Sequence, residues 1–125
     1  KRTLFPTDDH AKRLSRSAHY LGYEIAPEFI RSRLIEFVEM NKPTTSIYIR
    51  PLVYTSDLDI SPRLHEIEKD FLIYGIELGD YLAADGVSAT ISSWVRQSDA
   101  SFPLRAKISG GYITSALAKS EAVER

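Results

Sequence analysis

Thr44-Thr45-Ser46-Ile47-Tyr48-Ile49-Arg50-Pro51-Leu52-Val53-Tyr54-Thr55 reads as a β-strand. Most of its side chains from Ile47 onward are β-branched or aromatic, the shapes that fit a pleated surface. Pro51 has no N–H to give a ladder, so the strand has an edge or a bulge there. Side chains alternate across a strand, which puts Tyr48 and Arg50 on one face. A phenol beside a guanidinium makes a good receptor for a carboxylate. A buried charge without a partner is strongly destabilising. Arg50 therefore either meets a carboxylate, from the protein or from a ligand, or faces water at a sheet edge.

Two helices precede this strand. Thr7 before Asp8 and Asp9 is a start signal, because the hydroxyl can cap free N–H groups and the acids suit the positive end of the helix dipole. Leu14, Ala18 and Leu21 follow at helical spacing, and Gly22 ends the run. A second start lies at Pro27-Glu28, with Ile30, Leu34, Phe37 and Val38 as its apolar stripe and Asn41 and Pro43 as its stop. After the strand, residues 56–66 are a polar connection, and residues 71–76 form a second short strand. Gly75 and Gly79 suggest bends and a boundary. Residues 87–95 alternate as a third strand, and Gly110-Gly111 leads into a last helix with Ile113, Ala116, Leu117 and Ser120 on one face. The order helix, helix, strand, strand, strand, helix is a mixed α/β (α+β) organisation. The last strand and helix are too little structure to bury their own faces.

The chain has 125 residues, one domain's worth, with 16 Lys+Arg against 17 Asp+Glu. A net charge of −1 argues against a general nucleic-acid binder. The absence of cysteine removes disulfides, thiolate chemistry and cysteine zinc sites. His10, His19 and His65 share no ligand spacing, and neither a Gly-x-Ser-x-Gly elbow nor a Gly-x-x-x-x-Gly-Lys loop occurs. No apolar run approaches the roughly 20 residues of a membrane span. A soluble cytoplasmic protein is the expectation, with no membrane and no nucleic-acid partner. The chain opens at Lys1 without an initiator methionine and stops at Arg125 inside a helical pattern. The expectation is a piece of something longer.

Lys107 lies between the expected third strand and the Gly-Gly turn. Desolvation there would lower its pKa and free the amine for Schiff-base chemistry, although most loop lysines are simply solvated. Tyr112, five residues on, could hydrogen-bond a cofactor oxygen or could only pack at a helix start. Ser109-Gly110-Gly111 could cradle an anion with backbone N–H groups, or be just a turn. Arg13 borders the apolar stripe of the first helix beside Lys12, Arg16 and His19. It can fork onto a phosphate or belong to a solvated basic face.

Four segments in this order carry a resemblance: His10-Ala11-Lys12-Arg13-Leu14 with Ser17-Ala18, then Tyr48-Ile49-Arg50-Pro51-Leu52, then Ser92-Ser93-Trp94, then Ala106-Lys107-Ile108-Ser109-Gly110-Gly111-Tyr112. Together they resemble the branched-chain amino acid aminotransferases, of the fold type IV pyridoxal-phosphate class. The resemblance spans nearly the whole chain. Many members have glycine where Ser109 stands and another residue at Gly111, but the lysine-to-tyrosine spacing is kept.

The resemblance implies a fold, a cofactor and roles. Residues 1–72 would be a small N-terminal α/β domain, incomplete at its start; 73–84 the interdomain connection; and 85–125 the first strand and helix of the large cofactor domain. Lys107 resembles the lysine that holds pyridoxal 5'-phosphate as a Schiff base and moves the proton. Arg13 resembles the arginine that binds the cofactor phosphate, and Tyr112 the tyrosine at its ring hydroxyl. Tyr48 would hold the substrate carboxylate, and Arg50 the side-chain carboxylate of glutamate. Tyr74 would be an aromatic near the mobile connection that closes the pocket. The reaction implied moves an amino group between leucine, isoleucine or valine and 2-oxoglutarate, in at least a homodimer. The carboxylate that pairs with the cofactor's pyridine nitrogen would lie beyond Arg125, so residues 1–125 alone are expected to be nearly inactive. Two other readings remain: a D-amino acid aminotransferase or aminodeoxychorismate lyase of the same fold, and a non-catalytic α/β module gripping an anion with the Lys12, Arg13 and Arg16 face.

Overall fold

In the computed structural model, which describes residues 4–5, 7–79 and 85–125, helices α1 (Thr7–His19) and α2 (Pro27–Asn41) precede strands β1 (Ile47–Thr55) and β2 (Lys69–Glu77). A 3-10 turn (Ser109–Tyr112) then leads into α3 (Ile113–Glu124). Lys1 and Pro6 lie outside the described residues, as do the last five positions, 80–84, of the expected connection. The chain forms two compact units, Lys1–Leu78 and Gly79–Arg125.

The first unit is an α+β arrangement. α1 starts at Thr7, with Asp8 and Asp9 in its first turn. It ends where Gly22 takes a left-handed φ of 68°. The Gly22 N–H then donates to the His19 carbonyl at 2.9 Å and the Tyr23 N–H to Ala18 at 3.1 Å. Those two bonds satisfy carbonyls the helix would otherwise leave open. α2 starts on Pro27, whose missing N–H costs nothing in the first turn. It ends as Lys42 turns left-handed and donates its N–H to Val38.

β1 and β2 pair antiparallel without a bulge, from Ile47 opposite Glu77 to Thr55 opposite Lys69. The expected edge at Pro51 is therefore met: among the described residues the sheet has two strands, and β1 has one unpaired side. Ile49, Val53, Phe71 and Ile73 pack against a core of Ala11, Ala18, Ile25, Ile30 and Leu34. All four come from odd-numbered sheet positions, so the even-numbered ones point away from the helices. Phe29 of α2 meets Phe71 edge-on, with ring centroids 5.6 Å apart. Asp8 ties α1 to α2 through an ion pair with Arg31 at 3.0 Å.

Three sequence expectations are corrected. β2 is longer than residues 71–76 and includes Gly75, which is strand and not a bend. A Cβ at Gly75 would stand 3.2 Å from the Phe37 ring of α2 and 3.4 Å from Ile47 Cδ1, so glycine lets the helix lie close to the sheet. Residues 87–95 are not a strand. Alternation marks a chain ready to pair, but a ladder needs a neighbour. Among the described residues the only ladder joins β1 and β2, and Val87, Ile91 and Val95 are 72%, 91% and 86% exposed. Likewise α3 forms, but among the described residues none of its side chains is fully buried.

The second unit is held by a carboxylate. Glu121 of α3 accepts the Ser92 hydroxyl at 2.5 Å and the Ser93 N–H at 2.9 Å. Arg125 donates to Glu121 at 2.6 Å and reaches the Ile91 carbonyl at 3.4 Å. These bonds draw the Glu121 pKa below its ordinary value, the Ser92 hydroxyl contributing most and the Ser93 N–H next. Among the described residues no helix is long and apolar enough to cross a membrane.

Candidate active site

The sheet face turned away from the helices carries four cross-strand pairs: Tyr48 with Ile76, Arg50 with Tyr74, Leu52 with Leu72, and Tyr54 with Asp70. Direct neighbours across an antiparallel pair have their Cβ atoms about 5 Å apart, so each pair interacts. Arg50 Nη1 donates to the Tyr74 hydroxyl at 3.0 Å. The guanidinium carbon also lies 5.3 Å from the centre of the Tyr48 ring and 5.7 Å from that of Tyr74, within cation–π range. Hydrogen bonding to Tyr48 first and to Tyr74 second raises the Arg50 pKa further, so the cation is permanent.

The choice left open for Arg50 is thereby narrowed to a ligand's carboxylate or water. Its side chain is exposed and held by phenols, and among the described residues no carboxylate forms an ion pair with it. One step along the same face, Leu52 and Leu72 are half-buried apolar groups. The face thus presents a fixed cation bordered by hydrocarbon. Beyond them the Tyr54 hydroxyl donates to Asp70 at 3.2 Å. The Asp70 charge raises the Tyr54 pKa, with smaller contributions from burial and that hydrogen bond.

Tyr48, Arg50 and Tyr74 are therefore brought together. Tyr74 is not at a connection: it sits inside β2, opposite Arg50. Arg13 belongs to α1, half-buried, and its carbonyl accepts the Ser17 hydroxyl at 2.8 Å.

Lys107 and Tyr112 belong to the second unit, on either side of the 3-10 turn's first residues. Lys107 is exposed, so the expected desolvation is not supplied among the described residues, where the strand meant to cover it is absent. Tyr112 is 53% exposed and stands at the N-terminal boundary of α3. The anion-cradle reading of Ser109-Gly110-Gly111 loses one donor: the Gly111 N–H goes to the Ile108 carbonyl at 3.1 Å. Gly111 has a packing reason instead, since a Cβ there would stand 2.6 Å from the Phe102 ring.

Sequence reasoning missed Tyr54, Asp70 and Glu121. Carrying the alternation on from Arg50 would have reached Tyr54. Nothing local marks Glu121, whose partners lie 28 and 29 residues away.

The amino-transferase class IV family profile matches residues 1–125, the whole chain. The chain belongs to the class IV aminotransferase family. It is 64% identical over 121 residues to a probable branched-chain-amino-acid aminotransferase of Synechocystis sp., covering 97% of this chain and 40% of that protein. It is 36% identical to a protein of the same description from Aquifex aeolicus, covering 92% and 38%. Among solved structures, the branched-chain aminotransferase of Thermoproteus uzoniensis with norvaline superposes with a TM-score of 0.87 at 34% identity, over 94% of this chain and 40% of that one. The pyridoxal-phosphate form of the Thermobaculum terrenum enzyme gives 0.81 at 27% identity, over 96% and 40%. The chain thus spans about two fifths of the length of these class IV relatives, and its helices and antiparallel sheet have the fold of the corresponding part.

Proposed function

We propose that these residues are part of an aminotransferase that moves an amino group between branched-chain L-amino acids (leucine, isoleucine, valine) and 2-oxoglutarate. The observation that carries this reading is the cation on the sheet face, Arg50 between Tyr48 and Tyr74, bordered by Leu52 and Leu72. An enzyme with these two substrates must accept a negative side chain and an aliphatic one in turn. A permanent guanidinium at the margin of an apolar surface answers both needs. The Tyr48 hydroxyl takes the carboxylate common to the two substrates, and Arg50 takes the distal carboxylate of glutamate. Family membership and the 64% identity to a protein of that description support the same activity.

The donor set fits pyridoxal 5'-phosphate. A primary amine (Lys107) suits its aldehyde, a guanidinium (Arg13) its phosphate, and a phenol (Tyr112) its ring oxygen. When bound, the cofactor supplies an electron sink for the carbon that loses its proton. Lys107 would hold the cofactor through Nζ, and its amine would then be the group that takes and returns the substrate Cα proton. Arg13 neutralises the phosphate, and the Tyr112 hydroxyl orients the ring. The small substrate-facing domain takes in the whole of β2 and so runs past residue 72, the connection expected from residue 73 begins only after Glu77, and 85–125 belong to the cofactor domain. The exposed Lys107 and the uncovered 87–95 segment agree with a chain that needs further sequence to exclude water. Residues 1–125 alone are accordingly nearly inactive. A cytoplasmic homodimer or higher homo-oligomer completes the reading on the strength of the family.

The test is borohydride reduction of the full-length protein with pyridoxal 5'-phosphate, followed by peptide mapping. The label is expected on Lys107, and a label on another lysine overturns the assignment. Glutamate formation from 2-oxoglutarate with L-valine, against D-alanine as donor, separates this activity from a D-amino acid aminotransferase.

A further inference from the structure

The Arg50–Tyr74 contact is more than packing. Arginine on an exposed strand has four rotatable bonds, and holding it in one pose costs entropy that a ligand must otherwise supply on binding. Here the pose is set beforehand. Register places Tyr74 directly opposite Arg50. Its hydroxyl accepts from Nη1 at 3.0 Å, and the two phenol rings flank the guanidinium at 5.3 and 5.7 Å. A hydroxyl has one proton as well as two lone pairs. In accepting from Arg50, the Tyr74 oxygen keeps that proton to offer. A carboxylate arriving at Arg50 therefore meets the remaining guanidinium N–H groups and, beside them, a phenol O–H.

We propose that Tyr74 is a positioning residue that fixes the Arg50 guanidinium and donates a second hydrogen bond to the distal carboxylate of a dicarboxylate substrate. This rests on the function proposed above, in which Arg50 receives that carboxylate. Tyr74 thereby sets the preference for a dicarboxylate over an aliphatic side chain, and does not merely close a pocket.

The test is Tyr74→Phe in the full-length protein, which removes one oxygen and keeps the ring. Two non-reacting probes are titrated by calorimetry: glutarate and 4-methylpentanoate. They share one carboxylate and differ only in the distal group. The ratio of glutarate to 4-methylpentanoate affinity is expected to fall about two- to tenfold, the weight of one side chain that must be ordered on binding. In an Arg50→Met background the same Tyr74→Phe change is expected to lower that ratio less than it does with Arg50 present, because the ordering of the guanidinium is already lost and only the hydroxyl's own bond to the carboxylate is left to remove. The same split is expected in KM for 2-oxoglutarate against 4-methyl-2-oxopentanoate. An unchanged affinity ratio, an equal loss for both probes, or a full additional effect in the Arg50→Met background would each overturn the proposal. Absence of amino transfer by the wild-type protein would instead sink the function, while the glutarate titration still reads Tyr74 against Arg50.

Discussion

Replacing Ile30 by alanine is expected to destabilise the first unit by about 3 kcal/mol. Ile30 is the largest fully enclosed side chain among the described residues, with 0% of its surface exposed. It belongs to α2 and packs in one core with Ala11 and Ala18 of α1 and with Ile49, Val53, Phe71 and Ile73 of the sheet. Ile→Ala removes three carbons, about 2.4 kcal/mol of transfer free energy at about 0.8 each. The cavity left behind raises this into the range of about 2–5 kcal/mol. α1 presents alanines here, so little side-chain volume is available to refill the space. A unit of this length has a total stability of about 4–12 kcal/mol, so a quarter or more of it goes with one side chain. The assay is urea unfolding of the purified protein followed by far-UV circular dichroism. Ile30→Val, at about 1 kcal/mol, keeps the effect measurable if the alanine variant fails to fold. Leu58→Ala is the control: Leu58 is 98% exposed, and its loss is expected to stay within about 0.5 kcal/mol. Should Ile30→Ala and Leu58→Ala shift the transition equally, α2 does not hold the sheet as argued. The consequence for binding differs from that of Tyr74→Phe. A sheet loosened from α2 weakens glutarate and 4-methylpentanoate together, because Tyr48 and Arg50 ride on the same strand.

Gly22→Ala is expected to cost about 1–2 kcal/mol in the same assay, since alanine is strained at a left-handed φ. Its Cβ would also meet the Leu64 carbonyl oxygen at 3.2 Å, a backbone atom with little freedom to move. The Glu121 pKa lies below its ordinary 4.5, so its contribution is present above that value and is lost as pH falls through the lowered one. Trp94, whose backbone N–H donates to the Ser92 hydroxyl oxygen, is the only tryptophan; its fluorescence should change in that acid window, and Glu121→Gln should abolish the transition. The Tyr54 phenol has the opposite sign: its pKa is raised above 10.0, so its contribution is full below that value and disappears as pH rises through the raised one. An ultraviolet titration should find one late-ionising tyrosine, and Asp70→Asn should bring it back toward 10.0, removing the charge that holds it up.

What was legible in the sequence divides by range. Gly22 and Pro27 announced the end of α1 and the start of α2 because each acts through its own backbone, without reference to anything distant. β1 was legible from its β-branched and aromatic run, and the period of two placed Tyr48 and Arg50 together. Gly75 was misread as a bend because its reason is Phe37, 38 positions earlier and on another element. The 87–95 segment failed for a related cause. Alternation describes one strand's readiness to pair, while a strand exists only with its neighbour. The candidate site shows the same division more sharply. Periodicity could say that Arg50 shares a face with Tyr48, and leave open whether a carboxylate or water meets it. Register supplies the rest: once Ile47 stands opposite Glu77, Arg50 stands opposite Tyr74, with no freedom to choose another partner. Shifting β2 by one residue would put Tyr74 on the helix side and leave the guanidinium unbraced. The packing of Phe71 and Ile73 on α2 forbids that slip, so the apolar core on one face of the sheet determines the polar receptor on the other.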